Sequence, residues 1–326
     1  MSSFLFALKA VSPIVLAVAL GYFLKRIGII PEKITKHLNR LVFRVFLPCN
    51  LFLNVYSITD LGSISLLYVV YVLAATLVIF LLSIPVALLT TKEGARRGVL
   101  MQGAIRSNYA LIGIPLATSL FGQEGAIVAT VLSAFAIPFF NVLAVITLTV
   151  FGKDTERVSL LKIGKGILKN PLIISIACGF LVLGVRALLT HLGIAFRLSD
   201  ITPVYRVAEQ LSACATPVAL LSLGAQFSFS AVPALRREIL VGVSVKTVAV
   251  PLLTLSVAYL IGGFTGAHFA SFVAIFATPV AVASVPMAQE MGADSRLAGQ
   301  LVIFSTLVSA VTIFLFSFVL KAIGIF

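Results

Sequence analysis

The sequence predicts an all-α polytopic membrane protein, with ten transmembrane helices arranged as a 5+5 inverted repeat. Three observations predict it. The chain is 60% hydrophobic and only 11% charged, with a mean hydropathy of +1.15, a balance foreign to a soluble domain. Apolar segments long enough to cross a bilayer follow one another with short linkers between them. Two of these segments are interrupted by proline at matching places: Arg106-Ser-Asn-Tyr-Ala-Leu-Ile-Gly-Ile-Pro115 and Ala277-Thr-Pro-Val-Ala-Val-Ala-Ser-Val-Pro286.

A span needs about 20 apolar residues. Ten segments qualify: 4–24, 36–56, 64–90, 98–121, 124–151, 170–192, 203–228, 237–262, 266–290 and 296–322. The first runs into Lys25-Arg26 without a small-residue cleavage site, so it reads as a span and not a cleaved signal. Residues 1–151 form the first five-helix repeat, 152–169 a basic linker, and 170–326 the second repeat. Ser12-Pro-Ile-Val-Leu-Ala-Val-Ala-Leu-Gly21 resembles Asn170-Pro-Leu-Ile-Ile-Ser-Ile-Ala-Cys-Gly179. The second span of each half is expected to break at Pro48 and Pro217, the fourth at Pro115 and Pro286. Five spans per half is an odd number, so the second half enters the membrane with opposite orientation.

The formal charge of +13 is a topology signal. Lys and Arg gather in alternate loops, around Lys25–Lys36, Lys92–Arg97, Lys153–Lys169, Arg236–Arg237 and Arg296. The loops around Asp60, Gln123 and Gly262 carry none, and the loop near Arg197 is a mild exception. This positive-inside pattern puts the basic loops in the cytoplasm and both termini outside. It speaks for the lipid bilayer as partner and against nucleic acid. Tyr56, Tyr205 and Tyr259 sit near span ends and suit interfacial anchors in a chain without Trp. Cys49, Cys178 and Cys214 form no C-x-x-C and read as small packing residues, and His37, His191 and His268 lack partner ligands. No metal or cofactor is expected.

Broken helices free backbone groups, and paired breaks mark the binding site of a secondary transporter. The candidate substrate contacts are Arg106, Ser107, Asn108, Pro115, Thr278, Pro279, Val280, Ser284 and Pro286. Arg106 lies roughly 12 Å into its span at 1.5 Å per residue, and a guanidinium there can grip a carboxylate or form a structural ion pair. Asn108 can donate to a carboxylate or cap the half-helix that follows. Ser107, Thr278 and Ser284 can bond freed carbonyls or line the cavity. Gly103, Gly113 and Gly224 read as close-packing positions. Arg44 and Lys246 lie at comparable depth, with Glu209 as the expected partner of one of them. Glu290 is the carboxylate best placed for coupling, or a solvated helix-end residue.

The ordered motifs resemble those of the auxin efflux carrier family, over nearly the whole chain. They are Asn39-Arg40 with Pro48; Asn108 with Gly113-Ile-Pro115-Leu; Lys169-Asn-Pro171; Ala219-Leu-Leu-Ser-Leu-Gly224; and Pro279 followed by Ala288-Gln-Glu290 and Val302-Ile-Phe304. The resemblance implies a bile-acid-symporter-like fold. A scaffold of spans 1, 2, 6 and 7 would hold a transport bundle of spans 3–5 and 8–10, with spans 4 and 9 crossing at their breaks. It also implies elevator-type movement of organic anions and a homodimer formed through the scaffold. Two features depart from the plant members of the family. Residues 64–90 contain no acidic or basic residue where those members carry a charged pair, and Val280 stands where they have glutamine. Neither indole-acetate specificity nor their coupling mechanism carries over.

The expected function is secondary transport of a small organic anion, a mono- or dicarboxylate or an aromatic acid, in the cell membrane. Coupling to protons, to sodium or to neither stays open, as does the direction of transport. The alternative is an anion channel or facilitator of the same fold. An enzyme is not expected: no Ser/His dyad, paired catalytic carboxylates, H-E-x-x-H or phosphate loop is present.

Overall fold

A computed structural model describes residues 2–57, 66–152 and 160–325. Asp60 and residues 153–159 of the basic linker, Lys153 and Arg157 included, lie outside them. Among the described residues regular structure is helical, apart from one isolated bridge. The α-helices in chain order are α1 (Ser2–Arg26), α2 (Glu32–Leu41), α3 (Leu47–Tyr56), α4 (Leu66–Thr90), α5 (Gly94–Ile105), α6 (Ile114–Val150), α7 (Leu160–Leu168), α8 (Pro171–His191), α9 (Thr202–Gln226), α10 (Arg236–Ser244), α11 (Val250–Ile261), α12 (Gly266–Phe276), α13 (Ser284–Glu290) and α14 (Ser295–Ala322).

Among the described residues six helical stretches are long and apolar enough to cross a membrane: Leu66–Thr90, Tyr109–Val150, Pro171–His191, Thr202–Gln226, Pro233–Ile261 and Ser295–Ala322. The sequence predicts ten spans, of which 4–24 is the continuous helix α1, and the other differences have physical causes. The expected spans 98–121 and 124–151 share one helical stretch that bends at Phe121 and Gly122, whose φ is 59°. The expected span 266–290 is two short helices with a break between them. The expected span 36–56 carries Lys36, Arg40 and Arg44 in its first half. The predicted basic linker contains a short helix, α7.

Prolines act here in three ways. Short π-helical turns occupy Val42–Phe46, Tyr109–Gly113 and Val245–Ala249. Each ends just ahead of a proline, Pro48, Pro115 or Pro251. Proline has no N–H and its ring crowds the carbonyl one turn back, so the ladder slips a register instead of breaking. The residue before each proline then donates to a carbonyl five back: Leu47 to Val42, Ile114 to Tyr109 and Val250 to Val245. Pro48 therefore widens its helix without breaking it. Pro217 sits inside an unbroken α9, against expectation. Pro286 lies in the first turn of α13, where an N–H would be unpaired anyway.

Buried apolar side chains form two clusters, one running through α3, α8, α9 and α13, the other through α4, α6 and α12. Close backbone approaches depend on glycine. A Cβ on Gly224 would lie 2.0 Å from the Val18 carbonyl oxygen, and one on Gly21 would lie 2.2 Å from that of Leu221. These two contacts press α1 onto α9, the small-residue packing typical of membrane helices. Gly179 does the same for α8, where a Cβ would meet Val55 of α3 at 2.8 Å. Large apolar side chains such as Leu66, Leu89, Leu181, Leu260 and Phe318 point outward. Cys178 and Cys214 are also exposed, so they do not pack inside the chain as expected. Tyr259 is exposed as an anchor would be, whereas Tyr56 is buried and stacks on Phe52.

We predict that Gly224→Val destabilises the protein by about 1–3 kcal/mol, the usual penalty for forcing methyl groups into a filled space. Gly184→Val on α8, where nothing lies within 4 Å, should leave the unfolding midpoint unchanged. Thermal unfolding of the two purified variants measures the difference.

Candidate functional site

The two breaks meet. Between α5 and the second π-turn the backbone opens at Arg106, Ser107 and Asn108, and between α12 and α13 it opens at 277–283. Ser107 and Val280 pair as an isolated antiparallel bridge. The Asn108 N–H donates to the Pro279 carbonyl at 2.8 Å, and the Ala281 N–H reaches the Arg106 carbonyl at 3.4 Å. The Val280 N–H donates to Ser305 Oγ on α14 at 3.0 Å. Backbone groups released by one helix are thus satisfied by the other, which a water-poor interior requires.

Side chains complete the crossing. Ser107 Oγ donates to the Ile275 carbonyl at the end of α12. Thr278 Oγ1 turns back to the Ala274 carbonyl at 2.7 Å. Gln102 Nε2 donates to the Ser284 carbonyl at 3.0 Å, stapling α5 to the start of α13. Gly113 packs without a side chain because a Cβ there would lie 2.7 Å from the Ala274 carbonyl oxygen.

A cavity of about 80 Å³ lies against this crossing. It is lined by Arg106, Ser107, Asn108 and Ala281–Ala283 of the crossing, by Ile137, Phe140 and Asn141 of α6, and by Asn50 of α3 and Thr216 of α9. Arg106 is only 4% exposed. Its Nη2 donates to Asn141 Oδ1 at 3.0 Å, and its Nη1 meets Ser284 Oγ at 3.4 Å and Met287 Sδ at 2.8 Å. Asn141 is held for this role, because its Nδ2 donates to the Ile137 carbonyl at 2.7 Å. All these acceptors are neutral, and among the described residues no carboxylate pairs with Arg106. Asn108 supplies a second donor. Its Nδ2 is buried with no hydrogen-bond partner among the described residues, and its side chain does not cap the following turn. Such an orphan donor costs about 1–3 kcal/mol unless something accepts from it.

The sequence of the site belongs to a known group. The sequence model of the membrane transport protein family, the auxin efflux carrier family, matches residues 6–317. The chain belongs to that family. Its members are transporters and not enzymes. The chain is also similar to an uncharacterized transporter of Methanothermobacter thermautotrophicus, 25% identical over 326 residues that cover 97% of this chain and 99% of that one.

The remaining candidates of this transport protein divide. Pro279 contributes its carbonyl to the bridge, and Val280 and Ser284 are buried within the crossing. Thr278, Pro279, Val280, Ser284 and Pro286 do not line the cavity. Pro115 is exposed and lies beyond the break, which sits at Arg106–Asn108. Glu209 is exposed on α9 and pairs with neither Arg44 nor Lys246. Arg44 instead joins Arg40 on Glu290, each at 3.6 Å. The Glu290 side chain is 9% exposed, so it is a paired, enclosed carboxylate and not a solvated helix end. Next to it, Asn39 Nδ2 donates to Gln289 Oε1 at 2.7 Å and Ser222 Oγ donates to Asn39 Oδ1 at 2.6 Å, which ties α13 to α2 and α9. Asn141, Asn50 and Thr216 escaped the sequence reading. A lone amide or hydroxyl in an apolar segment carries no periodic signal, although a buried polar side chain in a span does invite the question of what it bonds.

We expect Asn141→Leu to lower the unfolding free energy by about 1.5–3 kcal/mol, the value of a hydrogen bond to a charged group, because it strips the guanidinium of its amide acceptor. Denaturation of the variant beside the parent checks this.

Proposed function

We propose that this transport protein is a secondary carrier of a small organic anion, held at the crossing of the two breaks. One observation carries the reading. Arg106 lines a cavity with a buried guanidinium that has only neutral partners, beside an Asn108 amide with an unused donor. A charge buried without a counter-charge is strongly disfavoured, and a carboxylate in the cavity would neutralise it and accept from both donors. The cavity size limits the substrate to a small molecule.

The wider architecture follows from the same reading. The ten segments would cross the membrane as two inverted sets of five, with the basic loops cytoplasmic and both termini outside. The repeat-related glycines support the inversion. Gly21 of α1 admits α9 and Gly179 of α8 admits α3, so the first span of each half packs on the second span of the other. Spans 1, 2, 6 and 7 would then be the scaffold, through which two copies pair. On this reading the cavity, lined by Asn50 and Thr216 of the scaffold and by Arg106, Asn108 and Asn141 of the bundle, would lie where sliding of one body on the other carries a solute across. The tie of α13 to α2 and α9 would close the cytoplasmic side in this state.

Uptake and counterflow of labelled mono- and dicarboxylates into proteoliposomes test the proposal. Arg106→Ala should abolish saturable uptake, and Asn108→Ala should raise KM about tenfold, the equivalent of one lost hydrogen bond to a charged group. Asn141→Asp should stabilise the protein while weakening uptake, because it installs an internal rival for Arg106. Unchanged KM in both Arg106→Ala and Asn108→Ala would sink the assignment. Single-channel current without counterflow would replace the carrier with a channel.

A further inference from the structure

A second buried cation stands at the crossing and takes no part in the cavity. Lys246 lies in the π-turn ahead of Pro251, between α10 and α11, and its side chain is 0% exposed. Its Nζ donates to Ser107 Oγ at 2.6 Å, and that hydroxyl in turn donates to the Ile275 carbonyl. Among the described residues no carboxylate pairs with it. Lys246 does not line the cavity, although Ser107, the residue it bonds, does.

The surroundings explain how an ammonium persists there. Two helices, α5 and α12, end at the crossing by their C-termini, at Ile105 and Phe276. Each carries roughly half a negative charge at that end, borne by carbonyls without helical partners. Two converging C-termini amount to about one negative charge. The opposite end of the first break, the helical N-terminus near Tyr109, favours an anion instead. A crossing of this kind therefore offers a cation place as well as an anion place.

We infer that Lys246 is the built-in cation of the crossing. Its ammonium compensates the carbonyl ends of α5 and α12 through Ser107, in a place that an inorganic cation such as sodium would otherwise have to fill. The bridge that holds Arg106 and Asn108 at the cavity is then assembled without a bound metal ion. Lys246 is a positioning residue: it fixes Ser107, and Ser107 fixes the strand that presents its two neighbours.

The test reads cation dependence without needing a substrate. Thermal unfolding of the purified full chain is followed in sodium, potassium and choline chloride at equal ionic strength. The parent should unfold at the same midpoint in all three. Lys246→Met, which keeps the stem and loses the charge, should fall by several degrees, and Lys246→Arg should fall less. Lys246→Ala should also fall and be raised again by propylammonium chloride, which should leave the parent and Lys246→Met unmoved. A saturable, sodium-specific rise in the parent would overturn the inference, as would a parental midpoint in Lys246→Met or no propylammonium effect on Lys246→Ala. Should Lys246→Ala not fold, the parent salt series and Lys246→Met still decide. In proteoliposomes the parent's uptake should run equally in sodium and choline. Failure to find any transported carboxylate would count against the anion reading and leave the unfolding result standing.

Discussion

Two hydrogen bonds between interrupted helices hold the architecture together: Asn108 N–H to Pro279 O, and Ala281 N–H to Arg106 O. A helix that opens inside an apolar protein exposes donors and acceptors that water cannot reach, at about 1–3 kcal/mol for each unpaired group. One break alone would be unstable. Two breaks crossing antiparallel satisfy each other over a few residues and leave the flanking side chains aimed at a common space. The staples from Gln102 to Ser284 and from Ser107 to Ile275 only make sense once that crossing exists.

The electrostatics follow from the same geometry. Arg106 and Lys246 are buried at neighbouring points and lack carboxylate partners among the described residues. Burying two uncompensated cations would be prohibitive in a uniform apolar medium. Here a hydroxyl meets one, and amide, hydroxyl and sulfur acceptors hold the other beside the cavity. The acidic residues are elsewhere. Glu290 holds Arg40 and Arg44, while Glu93, Glu238 and Asp294 all converge on Arg96. That segregation keeps carboxylates of the protein away from the cavity, where they would compete with a solute.

The sequence pointed to the right segments and misplaced the details, for reasons proline makes clear. Paired prolines signalled the breaks, yet the backbone opens at Arg106–Asn108, upstream of Pro115, because a π-turn absorbs the missing donor of the proline itself. The same device hid at Pro251, where nothing was expected, and Pro217 left α9 intact. Arg106, Ser107 and Asn108 were legible because a charge and two polar groups stood at a break. Asn141 was not, since its importance comes from a contact with Arg106 across 35 residues of chain, which no local pattern encodes. Lys246 is visible as a buried charge, but the sequence offers an acidic residue as its partner where a hydroxyl is the one it meets.

The mutual dependence of the breaks reaches back to synthesis. Ser107 and the carbonyl its hydroxyl meets, that of Ile275, are 168 residues apart in the chain. A ribosome adding about 5–20 residues per second needs roughly 8–34 s to cover that distance. Throughout that interval the first break exists without the backbone that satisfies it, flanked by a lone arginine. The nascent first half must therefore be sheltered at the site of insertion, or held out of the lipid by a helper, until the second half arrives to close the crossing.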